Sequence, residues 1–261
     1  MNGERTHNMA SAEEFGLWIR KLNTTDAPRA RVVCFPHAGG SANFYFQFAR
    51  RFPDLEVHGI QYPGRQDRRH EPFRNTIQEL GAEIAQLMGD WKDLPIVLFG
   101  NSMGALVAFE VAHRLEAMGN PPLSLFACGR VGPLISPDEK TYLKGKDAFL
   151  KEMALLGGMD NALLQDEEIL DLVLPPMRAD YRLAETYRGS PEKRLSVPIH
   201  VHIGNTDPKV TEAKAAEWQF ATTGAFTMDT HEGGHFFFTD NSDRLIEAVN
   251  RSVEDALTTN A

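Results

Sequence analysis

The pentapeptide Gly100-Asn101-Ser102-Met103-Gly104 sets a serine between two glycines. It follows the apolar run Ile96–Phe99 and opens an amphipathic stretch beginning near Ala105. A strand–turn–helix elbow of this kind lifts a hydroxyl above a sheet edge, with the serine backbone in a sparsely populated region. Side chains two positions either side would then collide with neighbouring backbone, so glycine is required at both. The hydroxyl emerges near a helix N-terminus, where free N–H groups favour negative charge. Such a serine points to nucleophilic attack on a carbonyl carbon. It needs a base, an acid behind the base, and donors for the oxyanion.

Those partners are sought downstream, because in elbows of this type the acid and then the histidine follow the serine. His235 lies in Glu232-Gly233-Gly234-His235-Phe236, where two glycines give a loop able to place an imidazole freely. His231 is its competitor but stands closer to a strand end. For the acid, Asp207 lies in Gly204-Asn205-Thr206-Asp207-Pro208, just past an apolar run. A carboxylate there can hold the imidazole in one tautomer and stabilise the imidazolium. Asp229 and Asp240 are reserve candidates, and Asn-Thr-Asp-Pro is also plain turn chemistry. The oxyanion donors are expected to be the N–H of Met103, the residue after the nucleophile, and the N–H of Ala38. The latter sits in Phe35-Pro36-His37-Ala38-Gly39-Gly40-Ser41, whose small residues let backbone approach a substrate.

The elements that must position these groups alternate along the first half of the chain. Arg31–Phe35, Glu56–Ile60, Ile96–Phe99 and Leu123–Cys128 read as short strands. Phe44–Phe52, Thr76–Trp91 and Ala105–Met118 carry apolar residues at helical spacing, and Gly119 supplies a stop. Strands separated by helices imply parallel pairing in a doubly wound sheet. From Leu134 to Leu195 no strand is expected. Leu- and Met-rich helical patches at Phe149–Leu156 and Ile169–Leu174 are punctuated there by Gly157-Gly158 and Pro175-Pro176, which reads as a helical lid inserted over one end of the sheet. Strands return at Val197–Ile203 and Phe226–Asp229, with helices at Glu212–Phe220 and from Asp243 to Ala256. The expected organisation is an N-terminal extension, 1–28, followed by one α/β domain, 29–261, with the lid at about 134–195.

With 261 residues and 42% apolar side chains, the chain can bury a core without staples. Its net charge of −9 argues against duplex nucleic acid or an anionic membrane as partner. Cys34 and Cys128, the two cysteines, are expected as buried free thiols. Met1 to Ala10 is polar and lacks the apolar stretch of a signal peptide, and no run of 18 apolar residues appears. A cytoplasmic monomer is expected. His200 and His202 share one strand face, but no third ligand joins them at metal spacing. The exception to the acidic balance is Arg65, Arg68, Arg69 and Arg74, with Lys92 nearby. Such a run is a solvated loop or a docking patch for an acidic partner.

Taken together these blocks resemble the type II thioesterases, α/β-hydrolases that accompany polyketide synthases and nonribosomal peptide synthetases. The resemblance covers about Arg31 to the final helix. It rests on Phe35–Ser41, then Tyr62-Pro63-Gly64-Arg65, the Ser102 elbow, Leu174-Pro175-Pro176-Met177-Arg178-Ala179-Asp180-Tyr181, and Gly233-Gly234-His235-Phe236-Phe237, in that order. It implies an α/β-hydrolase fold, a triad of Ser102, Asp207 and His235, and the oxyanion donors Ala38 and Met103. It also implies hydrolysis of acyl thioesters from the phosphopantetheine arm of acyl or peptidyl carrier proteins, with no cofactor and no metal. Asn101 departs from the family, many of whose members have His there. A small-molecule carboxylesterase, a fatty-acid carrier-protein thioesterase and a non-catalytic hydrolase-fold binding protein are the competing readings. The acidic nature of carrier proteins, implied by the family, favours the docking-patch reading of the arginines, at the sheet edge from which the nucleophile also emerges. The insertion is expected to line an acyl channel, with Met153 and Leu155 as its gauge.

Overall fold

The computed structural model describes residues 12–136, 138–157, 166–240 and 242–259. The reading of Met1–Ala10 and the glycine at 158 lie outside them. A seven-stranded sheet runs through the centre. Its strands are β1 (Ile19–Lys21), β2 (Arg31–Phe35), β3 (Glu56–Ile60), β4 (Ile96–Asn101), β5 (Ser124–Cys128), β6 (Ile199–Gly204) and β7 (Phe226–His231). The helices are α1 (Ala12–Trp18), α2 (Phe46–Ala49), α3 (Ile77–Met88), α4 (Met103–Ala117), α5 (Lys146–Leu156), α6 (Glu167–Thr186), α7 (Glu212–Ala216) and α8 (Asp243–Thr259).

The strand order is β1-β3-β2-β4-β5-β6-β7. All pairs are parallel except β1 with β3. This is a mostly parallel, doubly wound sheet of the α/β-hydrolase kind. β2, β4 and β5 are largely apolar runs buried on both faces, as a parallel sheet covered on both sides requires, and β3 is buried throughout although it carries Glu56 and His58. One apolar layer packs α3 and α4 against the sheet through Leu80, Ile84, Leu106 and Phe109. The other packs Tyr45, Phe48 and Phe52 with Leu245 and Val249 of α8. Cys34 and Cys128 are buried free thiols within that second layer.

The sheet edge differs from the sequence reading. β1 is three residues, Ile-Arg-Lys, too short and too charged to register as a strand. It is held by pairing with β3 and by Asn23, whose amide caps the carbonyls of Phe52 and Leu55. The punctuation expected at Pro175-Pro176 is also absent, because α6 runs through both prolines for 20 residues. Asp166 caps its start, accepting from the N–H groups of Glu168 and Ile169. The carbonyls that the proline rings leave without donors belong to Asp171 and Leu172, both exposed, where water can satisfy them. Between β5 and β6, α5 and α6 cover the carboxyl end of the sheet.

The arginine run does not form a basic patch. Arg65 pairs with buried Asp180. Arg68, 2% exposed, pairs with Glu71 and lies 3.9 Å over the Trp18 ring. Arg74 pairs with Glu83. Three of the four guanidiniums find a carboxylate, so Arg65 and Arg68 are buried, Arg74 is half-buried, and only Arg69 is fully exposed. Arg65 and Arg68 staple the loop after β3 rather than offering charge to a partner. Among the described residues no helix is long and apolar enough to cross a membrane.

Candidate active site

Ser102 stands between β4 and α4 with φ 54° and ψ −117°. That backbone state is costly for a residue with a Cβ, of order 1–3 kcal/mol, and persists only where the surroundings enforce it. Both flanking glycines are part of that enforcement. A Cβ on Gly100 would come within 2.5 Å of Ala105 Cα, in the elbow's own helix, and one on Gly104 within 2.0 Å of the Phe35 carbonyl oxygen at the end of β2. The Ser102 N–H donates to the Cys128 carbonyl at 2.8 Å, locking the turn to β5. Asn101 is fully buried beside Gly129 and is not among the residues lining the cavity described below.

His235 and Asp207 meet where the ends of β6 and β7 come together. His235 Nδ1 and Asp207 Oδ2 are 2.7 Å apart, with both side chains almost fully buried. An ionised carboxylate can only accept, so this pairing puts the proton on Nδ1 and leaves Nε2 as the basic nitrogen. The histidine loop is tied rather than free. The Thr206 N–H donates to the Gly233 carbonyl at 3.0 Å, and Gly233 N–H donates to Asn205 Oδ1 at 3.1 Å. Gly204 leaves no room for a Cβ, which would sit 2.2 Å from the Gly234 carbonyl oxygen.

The reserve candidates lie elsewhere. His231 bonds His202 at 2.8 Å and stacks on Phe237 within the fold. Asp229 pairs with Arg244 at the surface, and Asp240 is exposed. His202 is buried against Phe126, and desolvation holds its imidazole down to about 3. His200 bonds Thr227. Among the described residues no group of three His, Cys, Asp or Glu side chains is placed to hold a metal.

A cavity of about 400 Å³ opens at the carboxyl ends of the strands. Ser102, Met103, Ala38 and His235 line it together with Arg130, Val131 and Val210, and from the insertion Ile135, Leu156, Tyr181, Ala184 and Glu185. A smaller recess adjoins it, lined by His37, Met153, Met177 and Phe236. Leu155, expected in the channel, is 63% exposed, because on α5 its neighbour Leu156 takes the inward phase. Arg130, just past β5, reaches the Ala184 carbonyl, and burial lowers its guanidinium to about 10.

The loop that carries Ala38 is gripped from several sides. Gly40 N–H donates to the His37 carbonyl at 2.9 Å. His37 is packed edge-on against Phe44 and Phe236, and burial, aided by His235 and Arg65, holds it neutral with its imidazole near 3. Gly39, at φ +76°, donates to Asp180 on α6. The sequence reading missed this role for Asp180 and Arg65. Their pairing lies across a separation that no periodicity signals, although both sit in ordered motif blocks.

The thioesterase domain family model matches residues 30–253. The chain is 43% identical over 241 residues to a protein named "Probable cadicidin biosynthesis thioesterase" from Streptomyces griseus, an overlap of 92% of this chain and 66% of that protein. It is 40% identical over 252 residues to thioesterase PikA5 of Streptomyces venezuelae, covering 92% of this chain and 89% of PikA5. Among solved structures, the type II thioesterase BorB from the borrelidin biosynthetic cluster aligns with a TM-score of 0.84 and 37% identity, over 91% of this chain and 98% of that one. The matched span takes in the serine elbow, the histidine loop and every strand except β1. The chain belongs to the thioesterase domain family.

Proposed function

We propose that the protein is a type II serine thioesterase. It hydrolyses acyl thioesters from the phosphopantetheine arm of acyl or peptidyl carrier proteins in a polyketide or nonribosomal peptide pathway, clearing aberrant or stalled units. The observation that carries this reading is the meeting of Ser102, the Asp207-paired His235, Ala38 and Met103 on one cavity. The names of the cadicidin, PikA5 and BorB relatives support the pathway.

In this reading His235 Nε2 takes the Ser102 proton as Oγ bonds to the thioester carbon. The tetrahedral oxyanion is received by the N–H groups of Ala38 and Met103, each worth roughly 10²–10³ in rate. The C–S bond breaks, and the leaving thiol takes its proton from His235. Water, deprotonated by the same nitrogen, attacks the acyl-serine, and Oγ leaves reprotonated. Asp207 holds the tautomer and stabilises the imidazolium. The acyl chain lies along the apolar wall that includes Val131, Ile135 and Leu156, with residues 134–195 acting as a lid. This chemistry draws on no cofactor, and one chain supplies every group, consistent with a monomer in the cytoplasm.

The test compares one acyl group on a carrier protein, on a small thiol and on an oxygen ester. The carrier-protein thioester should give the highest kcat/KM and the oxygen ester the lowest. Preference for the oxygen ester would make the protein a carboxylesterase, and hydrolysis of none would make it a binding protein.

A further inference from the structure

Gly39 and Asp180 are 141 residues apart in sequence, yet the Gly39 N–H donates to Asp180 Oδ2 at 2.8 Å. The same oxygen receives Arg65 Nη2. Asp180 is 3% exposed, and Met177, one turn earlier on α6, lies over Gly39 so closely that a Cβ there would be 2.8 Å from its terminal methyl. On the other side, Arg65 Nη1 donates to the Pro63 carbonyl, and Tyr62 Oη donates to the Pro36 carbonyl at 3.3 Å. One carboxylate oxygen thus joins the insertion, the loop after β3 and the loop after β2.

The consequence follows from peptide planarity. The Gly40 N–H holds the His37 carbonyl, which fixes the peptide plane containing the Ala38 N–H. Asp180 holds the Gly39 N–H, which fixes the next plane. With both planes pinned, the Ala38 N–H has one direction. A buried ion pair is by itself weak evidence of stability, since desolvation offsets its attraction. A charge-assisted bond to a backbone N–H, by contrast, is short and directional.

We propose that Asp180 is a positioning residue that transmits the docking of α6 to the oxyanion hole, so that the Ala38 donor is set only when the insertion is seated. This rests on the reading of Ala38 given above. Two variants separate positioning from stability. Asp180→Asn keeps a carbonyl acceptor for Gly39 but strands the buried Arg65 charge. Replacing the pair together, Arg65→Met with Asp180→Leu, removes the stranded charge and the acceptor alike. Positioning therefore predicts opposite orders in two measurements. Thermal stability should be lower in Asp180→Asn than in the double variant. Turnover of an acyl thioester should fall less than tenfold in Asp180→Asn but on the order of 10²-fold in the double variant, the cost of losing one oxyanion donor. KM should stay within about twofold, in keeping with an interaction made only in the transition state. Inactivation by a fluorophosphonate, whose adduct places an oxygen in the same hole, should follow turnover. The Gly39 amide should lose exchange protection in the double variant. If turnover follows the stability order instead, or if the double variant keeps parental turnover and fluorophosphonate reactivity, Asp180 is only an anchor. A parent protein that reacts with neither thioester nor fluorophosphonate at Ser102 would remove the functional reading, and this proposal with it.

Discussion

Replacing Gly104 by alanine adds one methyl group where the structure has no room. The new Cβ would lie 2.0 Å from the Phe35 carbonyl oxygen, 2.6 Å from the Phe35 carbonyl carbon and 2.7 Å from the Pro36 oxygen. All are backbone atoms at the end of β2, so no side chain can rotate away. Bringing the nearest contact to about 3 Å requires a shift of roughly 1 Å between α4 and the loop leading to Ala38, a displacement on the scale known to cost about 10²-fold in rate. The overpacking itself should cost about 1–3 kcal/mol. For a chain of this size that lowers the thermal midpoint by several degrees, at about 2–4 °C per kcal/mol. We therefore expect Gly104→Ala to fold, melt several degrees early, and lose on the order of 10²-fold in kcat. Thermal denaturation and steady-state hydrolysis of an acyl thioester read both effects. Gly16→Ala is the control, since nothing lies within 4 Å of that Cβ. Parental turnover in Gly104→Ala, with a midpoint within a degree of the parent, would refute the account of the elbow.

Ser102→Ala and Ser102→Gly should both abolish turnover, but the glycine variant should be the more stable of the two. Relief of the strain at φ 54°, about 1–3 kcal/mol, exceeds the flexibility that glycine adds to the unfolded chain; equal midpoints would contradict this. Asp207→Asn should lower kcat by about 10⁴-fold through the wrong histidine tautomer. Asp229→Asn, at its surface pair with Arg244, should change turnover little; the reverse result would reassign the acid. Met153→Phe should shorten the longest acyl group accepted and Leu155→Phe should not, which a series of acyl lengths measures. His202 titrates near 6.5 when unfolded and about 3 when folded, so the unfolded state binds the extra proton between those values. Stability should fall as pH drops through that window by up to about 1.4 kcal/mol per pH unit from this group. Denaturant unfolding of His202→Gln should show a correspondingly shallower slope, and an unchanged slope would count against the buried-neutral assignment.

Most of the parallel strands were legible because they are short, largely apolar runs bounded by Pro, Gly or charge. β2 and β3 have the limits that the sequence suggests, and β4 runs two residues further, straight into Ser102. The placing of Ser102, His235 and Asp207 at the carboxyl ends of the strands was legible because the elbow glycines and the turn residues report local backbone demands. What stayed hidden depends on partners distant in sequence. β1 exists through pairing with β3, α6 survives Pro175-Pro176 through capping and packing, and Arg65 is recruited by Asp180, 115 residues away. A run of arginines looks the same in sequence whether it faces solvent or carboxylates. Leu155 was misassigned because helical phase is set by what the helix packs on.

The central claim is that Ser102 carries the acyl group between carrier protein and water. Mixing the protein with an acyl-loaded carrier protein, quenching in acid within the first turnover and mapping the acyl mass by peptide mass spectrometry tests it directly. The account predicts an acyl adduct on the peptide containing Ser102, loss of the same mass from the carrier protein, and neither in Ser102→Ala. An adduct on another residue, or undiminished deacylation of the carrier protein by Ser102→Ala, would contradict it.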